Sequence, residues 1–230
     1  MDTVTSLLQG NPYPGRGIIT GFSPDGRAVF AYFIMGRSEN SRNRVFREDG
    51  ASLCIDLYDA SKVKDPSLIC YTPARVLDSQ IIVTNGDQTD TVYDALCAGG
   101  SFRGALDTRC FEPDEPNYTP RISALLDQTG YQMSILKRAY IDGSCLRMYW
   151  RYCANPGCGH LIHTYNCDGN PLPTFSGTPK PVSLPADAAE LTRQLWDALD
   201  ADNRISLCVR YTDPVTGQFE SYLKNCHKGD

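Results

Sequence analysis

Apolar residues occur in short blocks separated by polar turns along most of the chain, a pattern typical of a β-rich protein. The clearest pair of blocks covers residues 16–22 and 27–35, joined by Ser-Pro-Asp-Gly at 23–26. Because proline presets φ and glycine accepts a positive φ, this pair predicts a β-hairpin. Further strands are predicted at 51–58, 75–77, 79–84, 132–141, 145–153, 205–211 and 218–223.

In other segments, the apolar residues repeat with the period of a helix. Residues 185–200 carry Leu191, Leu195 and Leu199 on one face, which predicts an amphipathic helix. A further helix is predicted at 119–130, because Thr-Pro at its start is typical of a capping hydroxyl followed by a first-turn proline. Shorter helices are predicted at 89–96 and 101–108, and residues 1–10 are predicted to form a short helix or an arm.

Many antiparallel pairs with helices in two blocks predict an α+β fold, with two stacked sheets between helical layers. This is a four-layer αββα sandwich. The chain has 230 residues, enough to bury a substantial core. Residues 168–186 are rich in turn residues but also carry apolar anchors, so we predict a single domain over residues 1–230.

Composition narrows the classes of function. Lys and Arg number 22 against 27 Asp and Glu, and the net charge of −5 disfavours a nucleic-acid binder. No apolar run reaches the roughly 18 residues that a membrane span needs, and the start lacks the features of a signal peptide. Ten cysteines are then expected as thiols in a reducing cytoplasm. The partner expected is a small molecule, and whether the protein forms a homo-oligomer is left open.

Residues 36–44, Gly-Arg-Ser-Glu-Asn-Ser-Arg-Asn-Arg, follow directly on the apolar block that ends at Met35. Arginine presents a planar fork suited to phosphate or carboxylate and stays charged at any working pH. One interpretation is a pocket for an anionic ligand, most simply a phosphate ester. The other is an ordinary basic loop in solvent, and this stretch alone does not decide between them.

Two further segments carry clusters of polar side chains next to predicted helices. Residues 85–90, Asn-Gly-Asp-Gln-Thr-Asp, lie between a predicted strand and a predicted helix, where free backbone N–H groups bind anions or a ribose. A capped turn without a ligand is the plainer alternative. Residues 112–121 hold three carboxylates followed by an arginine, which indicates either a general base or a solvated acidic loop.

Residues 153–168 hold three cysteines and two histidines, but their spacings are not those of a zinc finger. His160 and His163 are three apart, which in a strand places them on opposite faces. We therefore predict no metal site there, and instead a structural loop or a histidine that orients a substrate. The chain has none of the serine-elbow, phosphate-loop or dinucleotide glycine motifs, and it starts Met-Asp rather than with a nucleophile.

Four short motifs, in order, resemble the archaeal-type IMP cyclohydrolases. They are Gly15-Arg16, Gly36-Arg37-Ser38 with Asn43-Arg44, Asn85-Gly86-x-x-Thr89-Asp90-Thr91, and Thr119-Pro120-Arg121-Ile122, within roughly residues 13–125. The resemblance implies a fold like the N-terminal nucleophile hydrolases, without their nucleophile. It also implies a hydrolase of the cyclic amidine class that makes inosine monophosphate in purine biosynthesis, with no cofactor.

The resemblance also implies roles for individual residues. It places Arg44 and Tyr71 beside the formyl group of the substrate, with Glu112 or Glu115 as the acidic residue and Glu112 preferred. The substrate-binding residues it implies are Arg16, Arg37, Ser38, Asn43, Asn85, Gly86, Thr89, Asp90 and Arg121. Residues 159–173 have no clear counterpart and predict either a substrate-covering loop, with His163 and Tyr165 facing the pocket, or a structural addition.

Two alternatives to this enzyme stay open. One is a nucleotide-binding or regulatory protein that keeps the pocket without turnover. The other is an amide hydrolase activated by self-cleavage before a Ser, Thr or Cys. The combination of a tyrosine with a carboxylate favours the cyclohydrolase, because binding alone needs only the arginines.

Overall fold

The computed structural model describes residues 1–62 and 70–227, and the strands in these ranges form two antiparallel sheets. In chain order the strands are β1 (Arg16–Phe22), β2 (Ala28–Met35), β3 (Arg44–Asp49), β4 (Ser52–Leu57), β5 (Ala74–Leu77), β6 (Gln80–Thr84), β7 (Arg121–Asp127), β8 (Gly130–Arg138), β9 (Cys145–Cys153), β10 (Cys158–His163), β11 (Lys180–Ser183), β12 (Arg204–Thr212) and β13 (Phe219–Asn225). The helices are α1 (Val4–Leu8), α2 (Glu39–Arg42), α3 (Gln88–Cys97), α4 (Phe102–Asp107) and α5 (Ala188–Ala198). The first sheet has the order β11-β10-β1-β2-β12-β13, and the second has the order β3-β4-β5-β6-β7-β8-β9.

The predicted hairpin of β1 and β2 is confirmed. In its turn, the amide of Ser23 donates to the carbonyl of Arg27 at 2.9 Å, and the amide of Gly26 donates to that of Ser23 at 2.9 Å. Gly26 has a φ of 85°, which L side chains rarely adopt. At the open end of the hairpin, Arg16 pairs with Ile34, so the first residue of β1 lies beside the end of β2.

Three hydrophobic clusters define the layers. The largest lies between the two sheets and joins Ile18 and Phe30 of the first sheet to Phe46 of the second. A second cluster covers the outer face of the first sheet with α1 and α5, and it includes Val29 and Leu191. The third packs α3 and α4 on the outer face of the second sheet. The prediction of an α+β protein with two stacked sheets is confirmed.

The helix predicted at 119–130 is wrong, because this segment contains β7 and the turn into β8. β7 is hydrogen-bonded to β6 on one side and to β8 on the other. Ile122 and Ala124 face the core between the sheets, whereas Leu125 joins the outer cluster, which is the two-residue alternation of a strand. Pairing with two neighbours outweighs the helix-like Thr-Pro start, since tertiary context overrides local propensity.

The other predicted elements are confirmed, with ends shifted by at most three residues. Three strands and one helix were not predicted: β3, β10, β11 and α2. β3 carries four charged residues out of six, which hide its apolar pair Val45 and Phe46. β11 contains a proline and lies at a sheet edge, where proline is tolerated. Within residues 1–62 and 70–227, no helix has the length and apolar character needed to cross a membrane.

Candidate active site

Two adjoining cavities form the candidate site: one opens where β1 begins and β2 ends, and the other lies where β6 ends and β7 begins. Their volumes are about 340 Å³ and about 450 Å³, within the range of roughly 300–1,000 Å³ typical of small-molecule sites. Glu112 and Asp114 line both of them. We call the first the arginine cavity, whose lining includes Arg16, Arg37, Ser38, Arg44 and Tyr165. We call the second the tyrosine cavity, whose lining includes Tyr71, Gly86, Asp87 and Arg121.

Arg16 forms a two-pronged ion pair with Glu112. Nη1 lies 2.8 Å from Oε1 and Nη2 lies 3.1 Å from Oε2, and Nη1 also donates to the carbonyl of Asn85 at 2.6 Å. Burial by itself would lower the pKa of Arg16, but the Glu112 carboxylate, together with Tyr71 and Tyr32, more than offsets this effect and the pKa is raised. The paired forks fix the plane of the carboxylate at the junction of the two cavities.

Arg44 is a buried cation with neutral partners. It is 5% exposed, and its Nε donates to the carbonyl of Ser41 at 2.8 Å and its Nη2 to that of Met35 at 3.3 Å. In the part of the chain that the structure describes, Arg44 forms no ion pair. Burial lowers the pKa of Arg44, yet a guanidinium remains charged in proteins. A buried charge without a counter-ion favours an anionic ligand, or negative charge that develops during a reaction.

Tyr71 brings a hydroxyl to the same place. Its oxygen lies 2.6 Å from the hydroxyl oxygen of Tyr32, a fully buried residue of β2. Burial raises the pKa of Tyr32, so its hydroxyl stays protonated and orients the Tyr71 hydroxyl. Tyr71 also interacts electrostatically with Arg16 and Arg44 and contributes to the pKa of each. The tyrosine and both arginines therefore belong to one electrostatic cluster.

Arg37 and Ser38 form the rim of the arginine cavity. Arg37 pairs with Asp168, and its Cζ lies 4.8 Å from the ring centroid of Tyr13. The side chains of Arg37 and Asp168 are 38% and 45% exposed, so this ion pair is weak and easily exchanged. Ser38 caps α2 by accepting a hydrogen bond from the amide of Ser41 at 3.2 Å.

Arg121 lies on the wall of the tyrosine cavity, and its charge is already paired with a carboxylate of the protein. Its Nη1 donates to Oδ1 of Asp87 at 2.6 Å and to Oε1 of Gln88 at 2.7 Å. Asp87 also pairs with Arg109. Burial would raise the pKa of Asp87, but the two guanidiniums more than offset it and the pKa is lowered. Asp87 therefore stays ionised and holds Arg121 in place.

Of the predicted residues Asn85, Gly86 and Thr89, Gly86 alone lines a cavity, whereas Asn85 and Thr89 are buried behind it and line neither. Nδ2 of Asn85 donates to the carbonyl of Pro120 at 2.8 Å, and its Oδ1 accepts from the amide of Ile122 at 2.9 Å. Thr89 donates to the carbonyl of Gly86 at 3.0 Å. These side chains hold the loop between β6 and α3 against the start of β7.

Three more of the predicted residues lie outside the lining of both cavities. Nδ2 of Asn43 donates to the carbonyl of Asp59 at 2.7 Å. Asp90 is paired with Arg75 at 2.7 Å. Glu115 is exposed and accepts a hydrogen bond from the hydroxyl of Tyr118. Glu112 rather than Glu115 is thus the carboxylate next to the arginines.

The segment after β10 reaches the site through Tyr165. Its hydroxyl lies 2.6 Å from Oγ1 of Thr119, and its ring lines the arginine cavity. His163 does not line either cavity, since its Nδ1 is 2.8 Å from the carbonyl of Tyr165 and its ring packs edge-on against Phe175. Burial lowers the pKa of His163 to about 4, so the imidazole is neutral at physiological pH.

The cysteine- and histidine-rich segment forms β10 and its flanking turns. His160 and His163 contact different partners on opposite faces, and Nδ1 of His160 lies 2.6 Å from the hydroxyl of Tyr131. All ten cysteines are free thiols. Among residues 1–62 and 70–227, no three or more His, Cys, Asp or Glu side chains are placed to hold a metal ion.

A sequence profile for IMP cyclohydrolase-like proteins matches residues 13–217, a range that contains both cavities. The chain belongs to the IMP cyclohydrolase-like protein family. The IMP cyclohydrolase of Methanopyrus kandleri is 30% identical over 181 residues, which cover 71% of this chain and 89% of that protein. That of Methanocaldococcus jannaschii is 30% identical over 155 residues, covering 67% and 73%. That of Thermococcus kodakarensis is 24% identical over 188 residues, covering 80% and 86%.

Membership of the IMP cyclohydrolase-like family extends beyond the four motifs, since the match continues through β12 to residue 217. Sequence reasoning missed several residues at the site, among them Tyr13, Tyr32 and Asp87. Tyr32 lies in an apolar run and has the pattern of a core residue. Asp87 lies in a segment whose pattern is that of a capped turn, but its side chain makes no capping hydrogen bond and binds two arginines. Pairing with distant arginines leaves no local signal in the sequence.

Proposed function

We propose that this protein is an IMP cyclohydrolase, which closes the ring of 5-formamidoimidazole-4-carboxamide ribonucleotide to give inosine monophosphate and water. Family membership supports this, and one structural observation carries it. Separate segments of the chain bring four chemically suited side chains together around two adjoining cavities: Arg16, Arg44, Tyr71 and Glu112. The two stacked sheets between helices also support a single domain with a fold like the N-terminal nucleophile hydrolases.

The proposed first step is attack of the carboxamide nitrogen on the formyl carbon. A carbon–nitrogen bond forms, the nitrogen gives a proton to Glu112, and the formyl oxygen takes a proton from Tyr71. Glu112 is suited to accept the proton because Arg16 holds its carboxylate in a fixed orientation. The positive charge of Arg44 stabilises the negative charge that develops on the formyl oxygen.

The second step removes water from the cyclic intermediate. The new hydroxyl takes the proton back from Glu112 and leaves as water. The former formamide nitrogen gives its proton to Tyr71, and a carbon–nitrogen double bond forms. Both side chains return to their starting states, so the cycle needs only orientation and acid–base groups, with no cofactor.

We assign the phosphate of the substrate to the rim of the arginine cavity. Arg37 and Ser38 lie there, and the exposed pair of Arg37 with Asp168 exchanges readily for a phosphate. Arg121 then borders the base and carboxamide from the tyrosine cavity. Asn85, Gly86 and Thr89 act by holding this wall, and ten free thiols fit a cytoplasmic location.

The direct test is turnover by the purified full chain in buffer with a chelator. The formamido ribonucleotide is added, and purine absorbance is followed against the spontaneous rate. A protein-dependent rise is expected. Absence of that rise contradicts the proposal, and binding of inosine monophosphate without turnover would then identify a nucleotide-binding protein on the same fold.

A further inference from the structure

Two cysteines lie next to each other beside the segment that carries Glu112. Cys110 follows α4 and precedes Glu112 by two positions, and Cys145 is the first residue of β9. Both are free thiols in the structure. The thiol of Cys145 interacts directly with that of Cys110 and also with the backbone of Phe111. The proposed enzymatic chemistry makes no use of either thiol.

One guanidinium holds the two segments together through their main chains. Nη2 of Arg147 donates to the carbonyl of Arg109 at 2.7 Å, and Nη1 donates to the carbonyl of Cys145 at 3.3 Å. Arg109 directly precedes Cys110, so this bridge joins the chain at one cysteine to the chain at the other. Two cysteines can be joined only where their main chains approach closely, and Arg147 maintains such an approach here.

A second set of contacts fastens the same loop to the same hairpin. The ring of Phe111 packs edge-on against that of Tyr118, with ring centroids 5.7 Å apart. The Cζ atom of Arg138 lies 4.4 Å from the ring centroid of Tyr118. Arg138 is directly opposite Cys145 in the pairing of β8 with β9. The segment from Cys110 to Tyr118 therefore lies along the end of the hairpin that contains Cys145.

The two thiols differ in exposure, and this difference sets the order in which they react. Cys110 is exposed to solvent, whereas Cys145 is half-buried. Burial raises the pKa of the Cys145 thiol, which is therefore protonated at neutral pH. An oxidant in solvent meets Cys110 first, and Cys145 is placed as the second thiol that reacts with the oxidised form.

We propose that Cys110 and Cys145 form a redox-sensitive pair, in which hydrogen peroxide closes a disulfide between them and a dithiol reductant reopens it. The disulfide ties the segment that carries Glu112 to β9, and so keeps this segment in place under oxidising conditions. A reversible disulfide of this kind is compatible with a reducing compartment, where disulfides are usually transient. The pair is independent of the proposed cyclohydrolase activity.

The oxidation proceeds in two steps. The Cys110 sulfur attacks one oxygen of hydrogen peroxide, so that a sulfur–oxygen bond forms, the oxygen–oxygen bond breaks, and a sulfenic acid and one water result. The Cys145 sulfur then attacks the sulfenic sulfur, and the hydroxyl group leaves with the Cys145 proton as a second water. The two thiols lose two electrons in total, and hydrogen peroxide takes them up.

The test treats the reduced full-length protein with an equimolar amount of hydrogen peroxide, blocks the remaining thiols with iodoacetamide and maps the cysteines by peptide mass spectrometry. A crosslinked peptide pair that contains Cys110 and Cys145 is expected, and dithiothreitol is expected to restore both thiols. The melting temperature is expected to rise by roughly 5–10 °C on oxidation, because the disulfide restrains the unfolded chain. A disulfide between other cysteines or between two copies, Cys110 recovered as a sulfinic acid, or an unchanged melting temperature overturns the proposal.

Serine variants test the pairing. In Cys145→Ser the sulfenic acid at Cys110 has no thiol to react with, so dimedone is expected to label Cys110 in this variant and not in the parent. Cys97→Ser is the matched control, because Cys97 is also exposed but lies at the end of α3, and it is expected to crosslink as the parent does. Cys110→Ser changes an exposed position, so it is expected to fold and to lose the rise in melting temperature. Equal dimedone labelling of Cys110 in the parent and in Cys145→Ser contradicts the assignment.

A pair of arginine variants tests the bridge between the main chains. Arg147→Gln shortens the side chain that joins the two carbonyls, and is expected to slow closure of the disulfide severalfold. Arg151→Gln is the matched control, because Arg151 is exposed on the same strand four positions later, and its closure rate is expected to equal that of the parent. Equal closure rates in the two variants show that Arg147 does not hold the cysteines together.

Discussion

Two buried arginines at opposite ends of the same core differ in how their charge is matched. Arg44 is 5% exposed and bonds only to main-chain carbonyls within the described ranges, whereas Arg210 is 1% exposed and is paired with Glu48. Burial is the same in both cases, so burial does not distinguish a site for an anion from a structural cation. The counter-ion does: an unmatched charge favours a negative partner, whereas a matched charge is already satisfied within the protein.

The largest effect is expected at Glu112, the carboxylate paired with Arg16. Glu112→Gln removes the group that accepts the proton, and kcat is expected to fall by about 1,000-fold, within the range for general acid–base catalysis. Glu115→Gln is the matched control, because Glu115 is exposed and lies outside both cavities. Steady-state kinetics of both variants check this. Equal losses would mean that Glu112 has no special role.

The comparison of the two arginines is tested most directly by replacing each with methionine. Arg44→Met is expected to lower kcat by about 100-fold, the size of effect seen when one oxyanion donor is lost. Its melting temperature is expected to hold or rise, because a buried, unmatched charge is removed. Arg210→Met is expected to keep kcat and lower the free energy of unfolding, since Glu48 loses its partner. Kinetics and thermal melts of both variants measure these four quantities.

A third arginine sharpens this test. Arg121 already has Asp87 and Gln88 as partners, so Arg121→Ala is expected to lower kcat less than Arg44→Ala does. The reverse order would show that Arg121, not Arg44, meets the developing charge. If Arg44→Met and Arg210→Met destabilise the protein equally, the two arginines do not differ in how their charge is matched.

Acid affects the fold independently of the active site. Burial lowers the pKa of His163 to about 4 from an ordinary value of 6.5, so the folded protein binds this proton less readily than the unfolded chain. Its contribution to stability is complete above pH 6.5 and is lost as the pH falls toward 4, by about 2 kcal/mol between pH 7 and 5.

The His163→Asn variant isolates this effect, because asparagine can still donate to the carbonyl of Tyr165 but does not titrate in this range. Urea unfolding at pH 7 and pH 5 is expected to show a smaller pH-dependent loss of stability in the variant than in the parent. The same loss in both proteins would assign acid sensitivity to other groups.

The smallest effect is expected at Tyr32, whose hydroxyl contacts that of Tyr71. Tyr32→Phe removes the hydroxyl 2.6 Å from that of Tyr71, and kcat is expected to fall by roughly threefold to tenfold, the worth of one hydrogen bond. A positioning role predicts a changed pH profile of kcat with KM unchanged. A rise in KM alone would assign Tyr32 to binding instead.

Most of the fold was predictable because its strands alternate cleanly and its turns carry Pro-Asp-Gly or Asp-Gly-Ser signals. The failures have physical causes. β7 begins with residues that suit a helix, and β3 hides two buried positions among four charged ones. Their strand structure is fixed by hydrogen bonds to neighbours that are distant in sequence.

The site was predictable where the resemblance to the IMP cyclohydrolases supplied positions. Arg16, Arg44, Tyr71 and Glu112 were all expected at the pocket, and the structure brings them together. Asn43, Asp90 and His163 were expected beside them, but their side chains bond elsewhere in the protein. Short motifs mark which segments approach the pocket, whereas the direction of each side chain depends on packing that the motif does not contain.

All eight residues of β2 are buried, and the strand runs from a cavity of about 260 Å³, lined in part by Ala28 and Arg210, to the arginine cavity at Met35. For protein engineering, this strand should be left unchanged, because a substitution in it disturbs both cavities together. The loops at 113–118 and 213–217 lie at opposite ends of the core between the sheets and are mostly exposed to solvent. Libraries confined to one of these loops should reshape one cavity while leaving the other as it is.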